Sequence, residues 1–217
     1  MSYKDPIGFS KLDTFRDCPA KFKYQYIDKL PQPGSNAMDR GSSVHANIEE
    51  YLNGWTKTLI DPADKWQDAL DALKAKNFKG EQPLGLSRDW RLLPNWFDKD
   101  TWLRVKMDAY YIDGNCICVI DFKTGKYRLP STEQVELYAL AGLSIAPHIT
   151  EAKAEMWFLD TGDVYNRVYT TAQLLALRPK YEREFDKLTN NEVWEPSPSS
   201  ACRWCPYSRT KDGPCRY

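Results

Sequence analysis

The segment that decides the fold is residues 119–126, Val-Ile-Asp-Phe-Lys-Thr-Gly-Lys, in which an apolar run ends in an acid and a lysine two positions apart. Side chains alternate between the two faces of a strand, so Asp121 and Lys123 share one face and Phe122 points to the other. The Thr-Gly pair that follows is a turn signal. Taken alone, the segment fits two interpretations: a solvated ion pair at a strand end, or a catalytic pair at the edge of a sheet.

The residues before this segment predict a hairpin. Residues 101–112 alternate polar and apolar side chains, and residues 113–115, Asp-Gly-Asn, are a turn signal. The next strand, 116–122, is nearly all apolar, which is typical of a central strand covered on both faces. We expect the hairpin to bring Asp108 beside Asp121. Two carboxylates at close range repel each other unless a cation lies between them, and a hard ion such as Mg²⁺ takes oxygen ligands.

Helical periodicity on either side of the hairpin offers further polar side chains for this site. His45 lies on a predicted amphipathic helix over 42–53. Gln134 and Tyr138, four residues apart, share one face of a predicted helix over 132–145. Each of the three also has a purely structural interpretation, as a satisfied core or surface histidine, as part of a helix cap, and as a packing tyrosine.

The remaining pattern predicts how the sheet continues. A capping signal at 131–134 precedes the helix, strands are expected at 153–159 and 164–170, and helices near 62–77 and at 171–189. A hairpin followed by a helix and a further strand predicts a mixed sheet with a right-handed crossover. The fold class is therefore α/β (α+β), a central mixed β-sheet flanked by helices.

Composition limits the function classes without choosing one. The chain has 217 residues, enough for one domain with a sizeable core. Lys+Arg and Asp+Glu both total 30, so the net charge does not point to a polyanionic partner. The N-terminal residues are polar and no apolar run approaches the roughly 18 residues of a membrane span. We therefore expect a cytoplasmic protein that does not enter a membrane.

The cysteines form a pattern of their own. In a reducing compartment six cysteines are not expected to form structural disulfides. Cys116 and Cys118 fall in the apolar strand and are expected to be buried as small apolar side chains. That leaves four candidate metal ligands, Cys18, Cys202, Cys205 and Cys215. Four thiolates suit either a [4Fe–4S] cluster or a zinc ion, although a zinc ribbon usually has two close cysteine pairs and this chain has one.

The order of these elements resembles a known family. Gly-Ser-Ser-Val-His45, then Met-Asp108-Ala-Tyr-Tyr, then Ile-Asp121-Phe-Lys123-Thr-Gly, then Gln134-Val-Glu-Leu-Tyr138 is similar to the RecB-like branch of the PD-(D/E)XK nuclease superfamily. The lone upstream cysteine with a C-terminal triplet resembles its iron–sulfur subgroup, which includes AddB-type nuclease domains and CRISPR-associated exonucleases. The motifs cover about 40–140.

The resemblance implies a fold, an activity and roles for these residues. The fold is a restriction-endonuclease-like core with an iron–sulfur clamp, and the activity is metal-dependent hydrolysis of DNA. Mg²⁺ or Mn²⁺ is held by His45, Asp108, Asp121 and the carbonyl of Phe122. Lys123 assists the attacking water, and Gln134 and Tyr138 contact the DNA strand.

The same resemblance implies the domain organisation and partners. The whole chain, 1–217, is one nuclease domain, with 1–30 and 195–217 forming the cluster subdomain and 53–100 a helical and loop insertion. The substrate is expected to be single-stranded DNA or duplex ends, cut by an exonuclease that works alone or with a helicase, recombination or CRISPR proteins. The alternative is a non-catalytic DNA-binding or assembly factor with the same fold and a structural metal.

Overall fold

The computed structural model describes residues 3–32, 34, 36–126 and 132–217. The chain divides into two compact units, one made of Met1–Gly34 with Pro179–Tyr217 and the other of Ser35–Arg178. The helices are α1 (Phe9–Asp17), α2 (Pro19–Phe22), α3 (Asn36–Leu52), α4 (Gln67–Lys74), α5 (Glu133–Gly142) and α6 (Thr171–Thr189). None of the helices in the described ranges is long and apolar enough to cross a membrane.

The unit 35–178 is built on a five-stranded mixed sheet. Its strands are β1 (Lys79–Leu86), β2 (Leu103–Asp113), β3 (Cys116–Lys123), β4 (Glu151–Phe158) and β5 (Asp163–Thr170). They lie in the order β1-β2-β3-β4-β5, and every neighbouring pair is antiparallel except β3 and β4, which are parallel. The mixed sheet flanked by helices that the sequence predicts is confirmed.

The predicted hairpin is the β2–β3 pair. Asp113 pairs with Cys116, so the connection is the two residues Gly114 and Asn115. Gly114 has φ +59°, a left-handed conformation that glycine adopts without a Cβ penalty. The burial of β2 alternates as expected, with Leu103, Val105, Met107 and Ala109 buried, whereas β3 is buried on both faces.

Strand β1 was not expected, because its segment was assigned to a helical and loop insertion over 53–100. Its sequence, Lys-Gly-Glu-Gln-Pro-Leu-Gly-Leu, contains two glycines and a proline, which are depleted from strands. Proline is tolerated at a sheet edge, and β1 is the edge strand next to β2. Pairing with β2 therefore overrides the weak local propensity.

Two helical elements begin or end away from their predicted bounds. Helix α3 begins at Asn36 rather than near residue 42, so residues 36–41 form its first turns. Helix α5 spans Glu133–Gly142, shorter than the predicted 132–145. Its N-cap is Thr132, which makes no side-chain capping bond. The cap predicted at Ser131 lies outside the described residues.

The core of this unit positions α3 and α5 against the sheet. Val44 and Ile48, one turn apart on α3, are buried against Ile120 and Phe122 of β3 in a cluster that also includes α4. Most of α5 is buried as well, and a Cβ on its last residue, Gly142, would lie 3.0 Å from Cδ1 of Ile117. Close packing thus fixes which residues of α3 and α5 face the end of β3.

The unit made of both chain ends has its own aromatic core. Phe22 is fully buried, with its ring stacked on Trp194 at a centroid distance of 5.5 Å and edge-on to Tyr3 at 5.0 Å. Near the C-terminus the backbone folds tightly on itself, since a Cβ at Gly213 would lie 2.3 Å from the carbonyl carbon of Tyr207. This packing brings residues near position 20 and residues near position 200 into one unit.

Candidate functional site

The hairpin opens at Asp108, and this opening creates the candidate active site. The β2–β3 register extends from Asp113 opposite Cys116 to Ala109 opposite Ile120. One residue further along β2, the carboxylate of Asp108 accepts the backbone N–H of Phe122, with an N···Oδ2 distance of 2.7 Å. The strand pairing is replaced there by a side-chain contact, and the carboxylate lies at the open end of the ladder.

Asp121 is the most unusual group in this site. Only 2% of the residue is exposed, and burial raises the pKa of its carboxyl to about 6, with nearby Asp108 adding to the rise. Its Oδ1 accepts a hydrogen bond from Gln134. Its Oδ2 lies 2.7 Å from Nζ of Lys123, and this ammonium is the partner of that oxygen among the described residues. The buried carboxylate is thus hydrogen-bonded at one oxygen and ion-paired at the other.

Lys123 is held as an ammonium group beside both acids. Burial favours the neutral amine, but Asp121 and Asp108 outweigh it and raise the pKa of Lys123 above its ordinary value. A lysine with a raised pKa is a poor proton acceptor near neutral pH. It is therefore suited to stabilise negative charge rather than to act as a general base.

Helix α5 supplies the groups that orient this pair. Gln134 Oε1 accepts from Lys123 Nζ at 2.9 Å, while Gln134 Nε2 donates to Asp121 Oδ1 at 2.9 Å and to the hydroxyl of Tyr138 at 2.8 Å. Only this orientation of the amide satisfies all three partners. Burial, with Asp121 adding to it, raises the pKa of Tyr138, so its phenol stays protonated.

His45 reaches the site from α3. Its Nδ1 lies 3.3 Å from Oδ1 of Asp108, and its ring packs edge-on to Phe122 at 6.3 Å. Burial disfavours the imidazolium ion, but the hydrogen bond and charge of Asp108 outweigh it and raise the pKa of His45. The structure therefore brings together all seven residues that the sequence placed at one site: His45, Asp108, Asp121, Phe122, Lys123, Gln134 and Tyr138.

The donor set fits a divalent ion, although it is not preassembled. In the described ranges no group of three or more His, Cys, Asp or Glu side chains stands ready to hold a metal ion. The site nevertheless brings together an imidazole and two carboxylates, of which that of Asp121 is almost fully buried. A hard cation would be held by these donors and would offset the repulsion between Asp108 and Asp121.

A clamp that the sequence did not predict holds α3 to the end of β3. Asp160, just after β4, accepts two hydrogen bonds from the guanidinium of Arg40 at 3.0 and 2.6 Å and one from the backbone N–H of Gly125 at 2.5 Å. Arg40 lies on the helix that carries His45, and Gly125 follows Lys123. In the sequence Asp160 directly precedes the Thr161-Gly162 turn signal, so the local pattern gave no reason to place it near the site.

Gln134 and Tyr138 provide a matched pair of variants. Gln134→Ala removes contacts to both Asp121 and Lys123, and we expect it to lower kcat by about 10- to 100-fold, as is typical when a group that orients catalytic side chains is lost. Tyr138→Phe removes only the hydroxyl that accepts from Gln134 and should have the smaller effect. Single-turnover cleavage rates with matched melting curves test this order. A Tyr138→Phe variant slower than Gln134→Ala would contradict it.

The four candidate ligand cysteines line one cavity in the unit formed by the chain ends. The cavity has a volume of about 280 Å³ and is lined by Cys18, Cys202, Cys205 and Cys215. Backbone N–H groups point at two of the sulfurs, from Ser197 to Cys18 at 3.3 Å and from Ser199 to Cys202 at 3.4 Å. All six cysteines are free thiols. The cavity therefore collects cysteines from both ends of the chain.

The other two cysteines lie apart, on β3 of the sheet. Cys118 is buried, as predicted, and burial raises the pKa of its thiol to about 12. Cys116, predicted to be buried, is half-exposed at the start of the strand. Its position at the end of the strand explains the difference, because the first residue of β3, next to the hairpin turn, is less covered than the centre of the strand.

Comparison with known proteins identifies the superfamily. A model of the PD-(D/E)XK nuclease superfamily matches residues 6–106 and 95–210, which is most of the chain. No curated protein matches the sequence. Among solved structures, a protein from Eubacterium rectale described as a "Putative exonuclease" is 13% identical, with 92% of this chain and 86% of that one covered and a TM-score of 0.54. A protein named SSO0001 is 15% identical, with 95% and 86% covered and a TM-score of 0.48.

Proposed function

Because this chain belongs to the PD-(D/E)XK nuclease superfamily, we propose that it is a Mg²⁺- or Mn²⁺-dependent DNA nuclease. We propose further that it is an exonuclease of the RecB-like branch acting on single-stranded DNA or DNA ends. The observation that carries the activity is the network of Asp108, Asp121, Lys123 and Gln134, which holds two carboxylates, one of them almost fully buried, at the open end of the β2–β3 ladder. Two carboxylates this close repel each other unless a cation lies between them, and a divalent metal ion is the cation that a metal-dependent hydrolase uses.

Four groups would hold the ion: the imidazole of His45, the carboxylates of Asp108 and Asp121, and the carbonyl of Phe122. When bound, the ion supplies Lewis acidity and lowers the pKa of a water that attacks phosphorus. Asp108 already accepts the N–H of Phe122, which fixes the backbone from which the proposed carbonyl ligand projects. In this proposal the protein contributes a partly buried donor set, which the ion would complete on binding.

The remaining side chains act on charge and orientation. Lys123, kept protonated by the two acids, stabilises the negative charge that develops on the phosphate oxygens. Gln134 orients Lys123 and Asp121 through one hydrogen bond to each. The hydroxyl of Tyr138 accepts a hydrogen bond from the same amide, so the amide cannot flip without losing that bond. In this scheme Lys123 does not remove the proton from water.

For the cysteine cavity we propose a [4Fe–4S] cluster held by Cys18, Cys202, Cys205 and Cys215. Support comes from the four free thiols lining one cavity and from the two backbone N–H groups directed at sulfur, a contact that stabilises thiolates. A zinc ion is the alternative metal for the same four thiol ligands. The cluster has a structural role in this proposal, because it ties residues near the N-terminus to residues near the C-terminus.

Digestion of matched linear and circular DNA tests the proposed activity. End-labelled linear single-stranded oligonucleotides should be degraded progressively from one end with Mn²⁺ or Mg²⁺ and not with EDTA, whereas a single-stranded circle of similar composition should persist. Comparing 5′ and 3′ labels gives the polarity. Cleavage of the circle would contradict the exonuclease assignment. A protein that binds DNA and never cuts it with either metal would be the non-catalytic binding factor instead.

A further inference from the structure

The polar face of β2 continues beyond the candidate active site. Arg104, Lys106 and Asp108 alternate with buried residues and therefore share one face of the strand. Four residues of strand span about 13 Å, which is the separation along β2 between Arg104 and the proposed metal ligand Asp108. Lys106, between them, is paired with Glu81 of β1. Arg104 is thus the next cation along this face beyond the Lys106–Glu81 pair.

Arg104 contacts two aromatic rings. Its Nε donates to the backbone carbonyl of Trp96 at 3.1 Å, and its guanidinium carbon lies 5.2 Å from the ring of Trp96 and 5.4 Å from the ring of Phe97. Both distances are within the range of cation–π contacts. The hydrogen bond and the rings together fix a planar cation and two aromatic side chains on one surface.

The segment that bears these rings divides into a buried and an exposed part. Trp90 is 3% exposed, and Trp102 packs edge-on against it at 5.6 Å. Phe97 is 81% exposed, more than any other large apolar side chain among the described residues. Trp90 and Trp102 therefore anchor the segment 87–102 to the protein, whereas Phe97 gains no stability from burial.

We propose that Phe97, Trp96 and Arg104 form a stacking platform for the unpaired bases of single-stranded DNA, a few nucleotides from the phosphate that is cut. This inference rests on the proposed nuclease function and names the substrate form that the site prefers. Aromatic faces and planar guanidinium groups stack on any unpaired base, so the platform recognises single strands without reading sequence. Bases inside a duplex are stacked on one another, so their own faces are not available to the protein.

Stacking, rather than net charge, carries the interaction. The same segment contains Lys99 but also Asp98 and Asp100, so it is not a basic patch. An electrostatic groove would attract duplex and single-stranded DNA alike through their phosphates. The aromatic surface discriminates between them, because only a single strand can turn its bases onto it.

Binding measurements in EDTA test the platform without cleavage. We expect Phe97→Ala to weaken the affinity for an oligo-dT strand by about 5- to 100-fold, the range for loss of one stacked base, and to leave the affinity for a blunt duplex of the same length unchanged. Phe97→Trp keeps an aromatic ring at this position and should therefore retain the single-strand affinity of the wild type. The matched control is Trp55→Ala, which removes another exposed aromatic ring, 73% exposed, far from this strand face in sequence.

A positional experiment complements the affinities. Strands carrying a single 5-iodouracil at successive positions are irradiated with the protein, and the cross-linked peptide is identified by mass spectrometry. We expect cross-links to the peptide containing Trp96 and Phe97 at one or two adjacent positions near the cut end. Cross-links spread evenly along the strand, or absent from this peptide, would overturn the platform.

The outcomes separate this inference from the proposed activity. If Phe97→Ala binds single strands as the wild type does, or if Trp55→Ala loses as much, the platform is wrong even when the enzyme cuts DNA. If Phe97→Ala loses single-strand affinity alone and the wild type never cuts with Mn²⁺, the platform stands and the nuclease function fails. Equal losses for single strands and duplexes would also overturn it, because stacking cannot explain them.

Discussion

Asp121→Asn is expected to reduce Mn²⁺-dependent DNA cleavage by about 10²- to 10³-fold, the loss typical of removing a group that stabilises the transition state directly. The substitution keeps the shape of the side chain and an oxygen that accepts from Gln134. It removes the negative charge that the proposed ion requires. The same reasoning applies to Asp108→Ala, which also removes the acceptor for the N–H of Phe122.

The measurement combines cleavage, metal binding and DNA binding. Isothermal titration should show that Asp121→Asn has lost Mn²⁺ affinity, while DNA affinity measured in EDTA stays close to that of the wild type. Asp163→Asn is the matched control, because Asp163 is an exposed aspartate at the start of β5 in the same sheet. An Asp121→Asn protein that cuts DNA at the wild-type rate would refute the assignment of the metal site.

Cys18→Ala is expected to produce the second large effect, on stability. A cluster that links Cys18 to Cys202 closes a loop of roughly 180 residues, and closing such a loop stabilises a fold by about 5 kcal/mol in the chain-entropy description. That is a large fraction of the total stability of about 5–15 kcal/mol of an ordinary domain. We therefore expect loss of bound iron, loss of the brown colour and a strongly lowered melting temperature.

Anaerobic purification followed by iron, sulfide and zinc analysis and by thermal melting tests this expectation. Cys116→Ala is the control, since Cys116 is free and lies on β3 rather than at the cavity. It should retain iron and melt close to the wild type. A colourless wild-type protein with one bound zinc would favour zinc over the cluster. A Cys18→Ala protein with unchanged metal content and melting temperature would contradict a metal at this cavity.

Regular spacings along the chain made the candidate site predictable from the sequence. Asp121 and Lys123 face one side because a strand has a period of two, and Gln134 and Tyr138 face one side because four residues complete about one helical turn. The Asp-Gly-Asn signal predicted the hairpin, and the register of this hairpin places Asp108 beside Asp121. Alternation and turn chemistry are local properties, so they can be read before any tertiary contact is known.

Long-range contacts were not predictable in this way. Strand β1 forms despite two glycines and a proline because β2 provides its hydrogen-bonding partner. The Arg40–Asp160 clamp joins residues that are far apart in sequence, and neither residue carries a local signal of its partner. The segment 87–102 has several aromatic residues, and only packing separates the buried Trp90 from the exposed Phe97.

The sequence by itself determined the mixed sheet, the hairpin and the residues of the candidate site, since each follows from a repeat of two or about four positions. Only the tertiary structure decided that Asp121 is almost fully buried, that Lys123 is held as an ammonium by two acids, and that four distant cysteines line one cavity. The physical reason is that burial, desolvation and charge pairing depend on which elements pack together. A strand pattern shows which way a side chain points, but not what covers it.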